Sequence, residues 1–250
     1  MKTEGLILLI PDTVDVEREG VAAAWERLGG TVVRLGRFWD PPALDADRVR
    51  VYGTATFCLV LQQKLNFDLI DPPNDLIFSV ADAGLRRALT QQTLGEAPTL
   101  TYPVFVKPMA PKAFRARVYA SPEELAAECM GLPADSAILV SEIVEFVAEA
   151  RCFVLDGRVL DCSVYEGDAD AEAAAAFARE VASALPGPRA YVLDVGLITA
   201  RGWAVVEFNA AWGAGLNGCD PDRVLPAIAA ASGPAAAPQA VADDAAASSL

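Results

Sequence analysis

Two carboxylates and a carboxamide, Asp194, Glu207 and Asn209, are spaced so that one β-hairpin brings them to a common face. Tyr191–Ala200 and Trp203–Ala210 are apolar, β-branched stretches on either side of Arg201-Gly202, which reads as a two-residue turn. In that register Ala200 pairs with Trp203, Asp194 faces Asn209, and Gly196 faces Glu207 and leaves space. Alternation then puts Asp194, Glu207 and Asn209 on one side and Val195, Leu197, Val206 and Phe208 on a core side. Hard oxygen donors of this kind suit Mg²⁺, which is usually held by one or two carboxylates together with substrate phosphates. A half-exposed hairpin with an acidic outer face gives the same pattern, so the hairpin alone leaves both readings open.

Cations able to meet phosphate lie upstream. Val104-Phe105-Val106-Lys107-Pro108 reads as a buried strand ending in a lysine, whose ammonium needs an anionic partner there. Met109–Phe114, with Lys112, and the strand Ala116–Ala120 follow, an arrangement that suits a flap over phosphates or a plain hairpin with a snorkelling Lys107. Arg151 opens the strand Cys152–Leu155, with Glu142, Glu145 and Glu149 within the preceding residues; salt bridging alone accounts for such a cluster equally well. After Asn209, Trp212, Gly213, Gly215 and Asn217 fall in a glycine-rich loop whose free backbone N–H groups could receive an anion, or which is a linker.

The elements that must position these groups follow an α/β pattern. Leu6–Ile10, a helix over Val16–Leu28 stopped by Gly29-Gly30, and Thr31–Leu35 form a β-α-β opening. Arg48–Tyr52 reads as a strand and Phe57–Leu65 as a helix. Ala81–Thr93 is expected to be helical, with Arg86 and Arg87 on its surface. Ser121-Pro122-Glu123-Glu124 is a capping box starting a helix that runs to Met130. Ala137–Val140 is a strand, Asp156-Gly157 a hairpin turn before Arg158–Tyr165, and Asp170–Leu185 an alanine-rich helix. Pro221–Ala231 is a final helix, and Gly233–Leu250 has the composition of a disordered tail. No GxxxxGK[ST] is present, and no GxGxxG lies in the β-α-β opening where a dinucleotide fingerprint would have to sit, so the P-loop and a dinucleotide site in that layer are excluded.

Composition narrows the chemistry. The chain has 250 residues and no histidine, which removes His-based triads, His metal sites and imidazole bases. Its formal net charge of −14 disfavours nucleic acid and anionic membrane as partners. Five cysteines without CxxC spacing, no apolar run of spanning length and no signal-peptide pattern point to a cytoplasmic protein with reduced thiols.

In order and spacing, three motifs together resemble the ATP-grasp superfamily over roughly residues 100 to 230. They are the strand lysine Lys107, the stretch Ser141-Glu142-Ile143-Val144-Glu145-Phe146, and Asp194 followed by Glu207-Phe208-Asn209. The set Lys107, Lys112 and Arg151 resembles the branch called the R2K clade. The resemblance implies an ATP-grasp fold of α/β (α+β) class: a pre-ATP-grasp-like α/β domain at 1–80, a small lid subdomain at 81–140, a large subdomain with the metal site at 141–232 and a disordered tail at 233–250. It implies ATP as nucleotide, with one or two Mg²⁺ (Mn²⁺ as a substitute) on Asp194, Glu207 and Asn209. Lys107, Lys112 and Arg151 would face phosphates, Arg151 and Lys112 in catalytic roles. Glu142, Ile143, Val144 and Glu145 would form the adenine hinge and Glu149 the ribose contact. Trp212, Gly213, Gly215 and Asn217 would form the substrate loop. The implied activity is a carboxylate–amine ligase acting on small-molecule or peptide carboxylates and amines through an acylphosphate, and many relatives being dimers implies a homodimer. An ATP-binding protein without ligase activity, a phosphotransferase using the same site and an interaction module are the alternatives. The family's usual earlier lysine has no clear counterpart; Arg86 and Arg87 are the candidates.

Overall fold

The computed structural model describes residues 3–235. In the N-terminal layer, β1 (Ile7–Pro11) pairs in parallel with β2 (Thr31–Leu35) and β3 (Val49–Val51), in the order β2-β1-β3. The crossover α1 (Val16–Arg27) starts where the Asp15 side chain accepts a hydrogen bond from the Arg18 amide at 2.9 Å, satisfying one of the open N–H groups of its first turn. Helix α2 (Ala55–Leu65) leads into the short strand β4 (Phe67–Leu69).

The expected helix over Ala81–Thr93 is corrected. Only α3 (Asp82–Leu85) is helical; Arg86, at φ 51°, ends it, and β5 (Leu89–Thr93) is a strand. Leu-Thr-Gln-Gln-Thr carries little apolar periodicity, and its conformation comes from antiparallel pairing with a strand some fifty residues on, Leu89 facing Ser141. A tertiary partner overrides local propensity here.

The small antiparallel sheet has the order β5-β8-β6-β7, with β6 (Val104–Pro108), β7 (Arg117–Tyr119) and β8 (Ala137–Ser141). Helix α4 (Pro122–Glu128) packs Leu125 against Val106, Tyr119 and Ile138. The large antiparallel sheet has the order β10-β9-β11-β12, from β9 (Phe146–Leu155), β10 (Arg158–Gly167), β11 (Ala190–Ile198) and β12 (Gly202–Asn209). Helix α5 (Ala171–Ala184), capped by Asp170, covers one face of it with Ala174, Ala178 and Val181 against Ala150, Cys152 and Leu193. That leaves the opposite face of this sheet to carry polar side chains.

Helix α6 (Pro221–Ala230) and β13 (Ser232–Pro234) return the chain to the N-terminal layer. Strand β13 pairs with β4, and Val224, Leu225 and Ile228 share a core with Leu8, Trp25 and Phe57. Gly233 and Pro234, read from sequence as the start of a disordered tail, are therefore ordered strand residues; 236–250 lie outside the described residues. No helix among the described residues is long and apolar enough to cross a membrane.

Candidate active site

The hairpin register differs from the expected one. Ile198 pairs with Gly202, so the turn is Thr199-Ala200-Arg201 with Ala200 at φ 62°. A bulge between Asp194 and Val195 leaves Val206 as the extra residue on β12. Asp194 thus lies directly opposite Glu207, and Asn209 opposite Val192. The bulge also takes Val206 out of the core pattern and onto a cavity wall. Gly196 faces Ala204, and the space above it is filled: a Cβ there would come within 2.3 Å of the Phe146 ring.

The three side chains nevertheless converge. Asn209 Nδ2 donates to Asp194 Oδ2 at 3.0 Å and to Glu207 Oε1 at 3.1 Å. On the neighbouring strand Arg151 pairs with Asp194 in register, and Ser163 pairs with Arg151. Ser163, Arg151, Asp194 and Glu207 therefore form one row across four strands. Arg151 grips Asp194 with both Nε (2.9 Å) and Nη2 (2.7 Å), the bidentate geometry its planar fork favours, and Nη1 donates to the Gly215 carbonyl at 3.0 Å. Lys107, from the small sheet, places Nζ 2.5 Å from Glu207 Oε2. This supplies the anionic partner that a lysine in such a strand requires.

The two carboxyls respond differently. Burial holds Asp194 above the ordinary aspartate value even though Arg151 pulls it down. Burial also works to raise Glu207, but the charge and hydrogen bond of Lys107, with the Asn209 amide, bring it below the ordinary value. Burial opposes charge on Arg151, yet the bonds and charge of Asp194 raise it. Glu149 is raised chiefly by burial and accepts a hydrogen bond from the Tyr165 hydroxyl.

A cavity of about 550 Å³ opens between the two sheets, with Glu207 and Asn209 in its wall. Lys107, Lys112, Ile143 and Val144 line it, together with Phe105, Met109 and Phe114. Lys112 is exposed, at φ 61°. Glu142 also borders the cavity, but its carboxylate is held by Arg201 at 2.7 Å and its N–H by the Ala88 carbonyl at 2.9 Å. Glu145 is exposed and is not part of the cavity wall, and neither are Glu149 and Arg151, which stand further along the polar face.

Arg87 is the residue that sequence reading left undecided. It lines the cavity, donates to the carbonyls of Leu85 and Val205, and stacks over Phe146 at 5.3 Å. Burial lowers its guanidinium to about 10, so it stays charged at neutral pH. Among the described residues it has no carboxylate within ion-pair distance, and a half-buried cation without a counter-ion is costly. Arg86 is exposed and points away, to the Arg201 carbonyl.

The glycine-rich loop is less open than its sequence suggests. Trp212 is buried in the N-terminal core, and its carbonyl accepts from Gly53 N–H at 3.0 Å. The N–H groups of Gly213 and Ala214 bond to the Ala210 carbonyl. Those of Leu216 and Asn217 both bond to Glu17, at 2.8 Å each. The expectation of free N–H groups is corrected for Gly213, Ala214, Leu216 and Asn217. Nothing in the sequence around Glu17 signalled that contact.

The residues fit a nucleotide with a divalent cation on donor chemistry. An apolar-walled cavity ends in Lys107, Lys112 and an unpaired Arg87, beside two facing carboxylates. Among the described residues no group of three or more Asp, Glu, Cys or His could hold a metal by itself. Two carboxylates and an amide would need phosphate oxygens to complete a Mg²⁺ shell, which is how that ion is commonly held.

Comparison with known proteins agrees with the geometry. The family model described as ATP-grasp domain, R2K clade family 2, matches residues 85–227. No curated protein matches the chain. Among solved structures, the RimK domain protein ATP-grasp from Sphaerobacter thermophilus DSM 20745 is 18% identical with a TM-score of 0.61, covering 89% of this chain and 98% of that one. D-cycloserine synthetase DcsG is 17% identical with a TM-score of 0.56, covering 90% and 99%. N5-carboxyaminoimidazole synthase from Aspergillus clavatus, in complex with ADP and 5-aminoimidazole ribonucleotide, is 12% identical with a TM-score of 0.55, covering 91% and 77%. At these identities the likeness establishes the fold.

Proposed function

Because this chain belongs to the R2K clade family 2 of ATP-grasp domains, we propose that it is a Mg-dependent carboxylate–amine ligase that consumes ATP and releases ADP and phosphate. The observation that carries this reading is the row Arg151–Asp194–Glu207 meeting Lys107 at the end of the inter-sheet cavity. It supports a site where phosphate charge is neutralised and positioned, which is most of what phosphoryl transfer asks of a protein.

On this reading the cavity takes adenosine between the sheets, against the hinge Glu142–Glu145, with Glu149 toward the ribose. Lys107, Lys112 and Arg87 neutralise the phosphates, and Arg87 gains the counter-ion it lacks among the described residues. Arg151 faces the γ-phosphate. Asp194, Glu207 and Asn209 would hold one or two Mg²⁺, which when bound neutralises phosphate charge. A substrate carboxylate oxygen attacks the γ-phosphorus and ADP leaves, giving an acylphosphate; an amine nitrogen then attacks the acyl carbon, and phosphate leaves. None of these steps needs a histidine. The substrates are small-molecule or peptide carboxylates and amines.

A nucleotide-binding protein without ligase activity is the second reading, favoured by the filling of the Leu216 and Asn217 amides by Glu17. Isothermal calorimetry of ATP with and without Mg²⁺, on wild type and on Asp194→Ala/Glu207→Ala, tests the site. Mg-dependent binding lost in the variant is expected, and a folded wild type that does not bind ATP overturns the proposal. ADP and phosphate release on adding mixed amino acids then separates the ligase from the passive binder.

A further inference from the structure

Glu17 sits in the first turn of α1, in the N-terminal β-α-β layer. Its two carboxylate oxygens accept from consecutive amides 199 and 200 residues away, Leu216 N to Oε2 and Asn217 N to Oε1. Charge-assisted bonds of this length are about twice as strong as neutral ones. The fit leaves no room for a side chain at Gly215, where a Cβ would come within 2.9 Å of Glu17 Oε2 and 3.9 Å of Arg151 Nη1. The same layer holds the loop a second time through Tyr52, whose hydroxyl donates to the Ala214 carbonyl at 2.9 Å. Burial, then the charges of Glu17 and Asp15, push that phenol up, so it remains a donor.

The clamped segment carries the carbonyl that meets Arg151. Two guanidinium nitrogens are taken by Asp194, and the third, Nη1, donates to Gly215 at 3.0 Å. Among the described residues, Gly215 is the hydrogen-bond partner of the Arg151 guanidinium that comes from outside the sheet, and its carbonyl shares a peptide plane with the Leu216 N–H that Glu17 holds. We propose that Glu17 is a positioning residue for Arg151, fixing the Gly215 carbonyl through the amides of Leu216 and Asn217. The N-terminal layer thereby takes part in orienting the phosphate-facing arginine. The inference rests on the ATP-grasp reading, in which Arg151 faces the γ-phosphate.

The test compares two nucleotides on the full chain, the non-hydrolysable β,γ-imido analogue of ATP and ADP, each with Mg²⁺, by calorimetry. Glu17→Ala is expected to weaken the triphosphate analogue by about tenfold while ADP changes less than about twofold. Formate in the buffer, able to occupy the vacated amides, should restore the analogue's affinity in Glu17→Ala and leave wild type unchanged. A merely structural role would not produce rescue or nucleotide selectivity. Equal losses for both nucleotides, no loss, or a loss that formate does not restore would overturn the proposal. Arg151→Ala separates the layers of inference. If it is selective for the analogue and Glu17→Ala is not, only the role of Glu17 falls; if it binds both nucleotides as wild type does, the placement of Arg151 falls and this proposal with it. Should Glu17→Ala not fold, Glu17→Gln carries the comparison. Hydrogen exchange at Leu216 and Asn217 should then be faster than in wild type, and unchanged exchange would also overturn the clamp.

Discussion

The two cation–carboxylate pairs of the site are built on different terms. Arg151 and Asp194 are neighbours in one sheet, paired in register, with side chains 13% and 2% exposed. Lys107 and Glu207 join different sheets, and each side chain is 37% exposed. A third pair, Glu142 with Arg201, also bridges the sheets and is similarly exposed. The buried pair is therefore part of the large sheet's structure, whereas the exposed pairs are solvated clasps between two bodies. On the proposed reading, a site that admits and releases a nucleotide between the sheets needs a fixed end and an end that opens, and the ion pairs divide along that line.

The largest effect should come from breaking the fixed end. Asp194→Ala leaves a buried guanidinium without its counter-ion and should cost about 3–5 kcal/mol of stability, read from denaturant unfolding. Arg151→Met/Asp194→Leu should cost less than that single change, because a packed apolar pair removes both desolvation penalties. A double variant less stable than Asp194→Ala would show that the pair contributes more than its replacement can. Next, Lys107→Met should shift unfolding by no more than about 1 kcal/mol yet weaken Mg-ATP binding measured by calorimetry. A large stability loss would mean that Lys107 belongs to the fixed end.

Salt gives a smaller contrast. Raising ionic strength should erode the Lys107 and Glu142 contributions in double-mutant cycles while leaving the Arg151–Asp194 coupling nearly constant. The smallest effect concerns pH. The Arg201 hydrogen bond, then the Ala88 amide, hold the Glu142 carboxyl below the ordinary glutamate value. A group depressed in the folded state stabilises above its unfolded pKa, and that contribution is lost as pH falls through the lowered value. Wild type should therefore exceed Glu142→Gln slightly at neutral pH, and the two should converge in acid; a gap that widens in acid would contradict the assignment.

What was readable in the sequence follows the same division. The face shared by Asp194, Glu207 and Asn209 was legible because strand alternation is local, and it persisted through a wrong register because the bulge and the longer turn together kept the three residues on one side. Lys107 was legible because a lysine at the end of an apolar strand demands an anion, which Glu207 supplies. Strand β5 was not legible, since Leu89–Thr93 takes its conformation from β8 and Ala81–Leu85 lent it a helical look. Arg87 could not be told from Arg86, because only the left-handed turn at Arg86 sends one inward and the other out. Glu17 was invisible because its partners are backbone amides in a distant loop.

The return of α6 and β13 to the N-terminal layer bears on how this chain acquires its fold. Val51 N–H donates to Ser232 Oγ at 3.2 Å, Ile70 N–H to the Ala231 carbonyl at 2.8 Å, and β4 has β13 as its strand partner. This layer is thus completed by residues made more than 150 positions later. Contacts of such high sequence separation form slowly, because the intervening chain must be ordered before they are gained. On the ribosome, the apolar surface of α1, α2 and β3 awaits Val224, Leu225 and Ile228 while both of the sheets between them are being made, so this core stays incomplete until α6 has been synthesised.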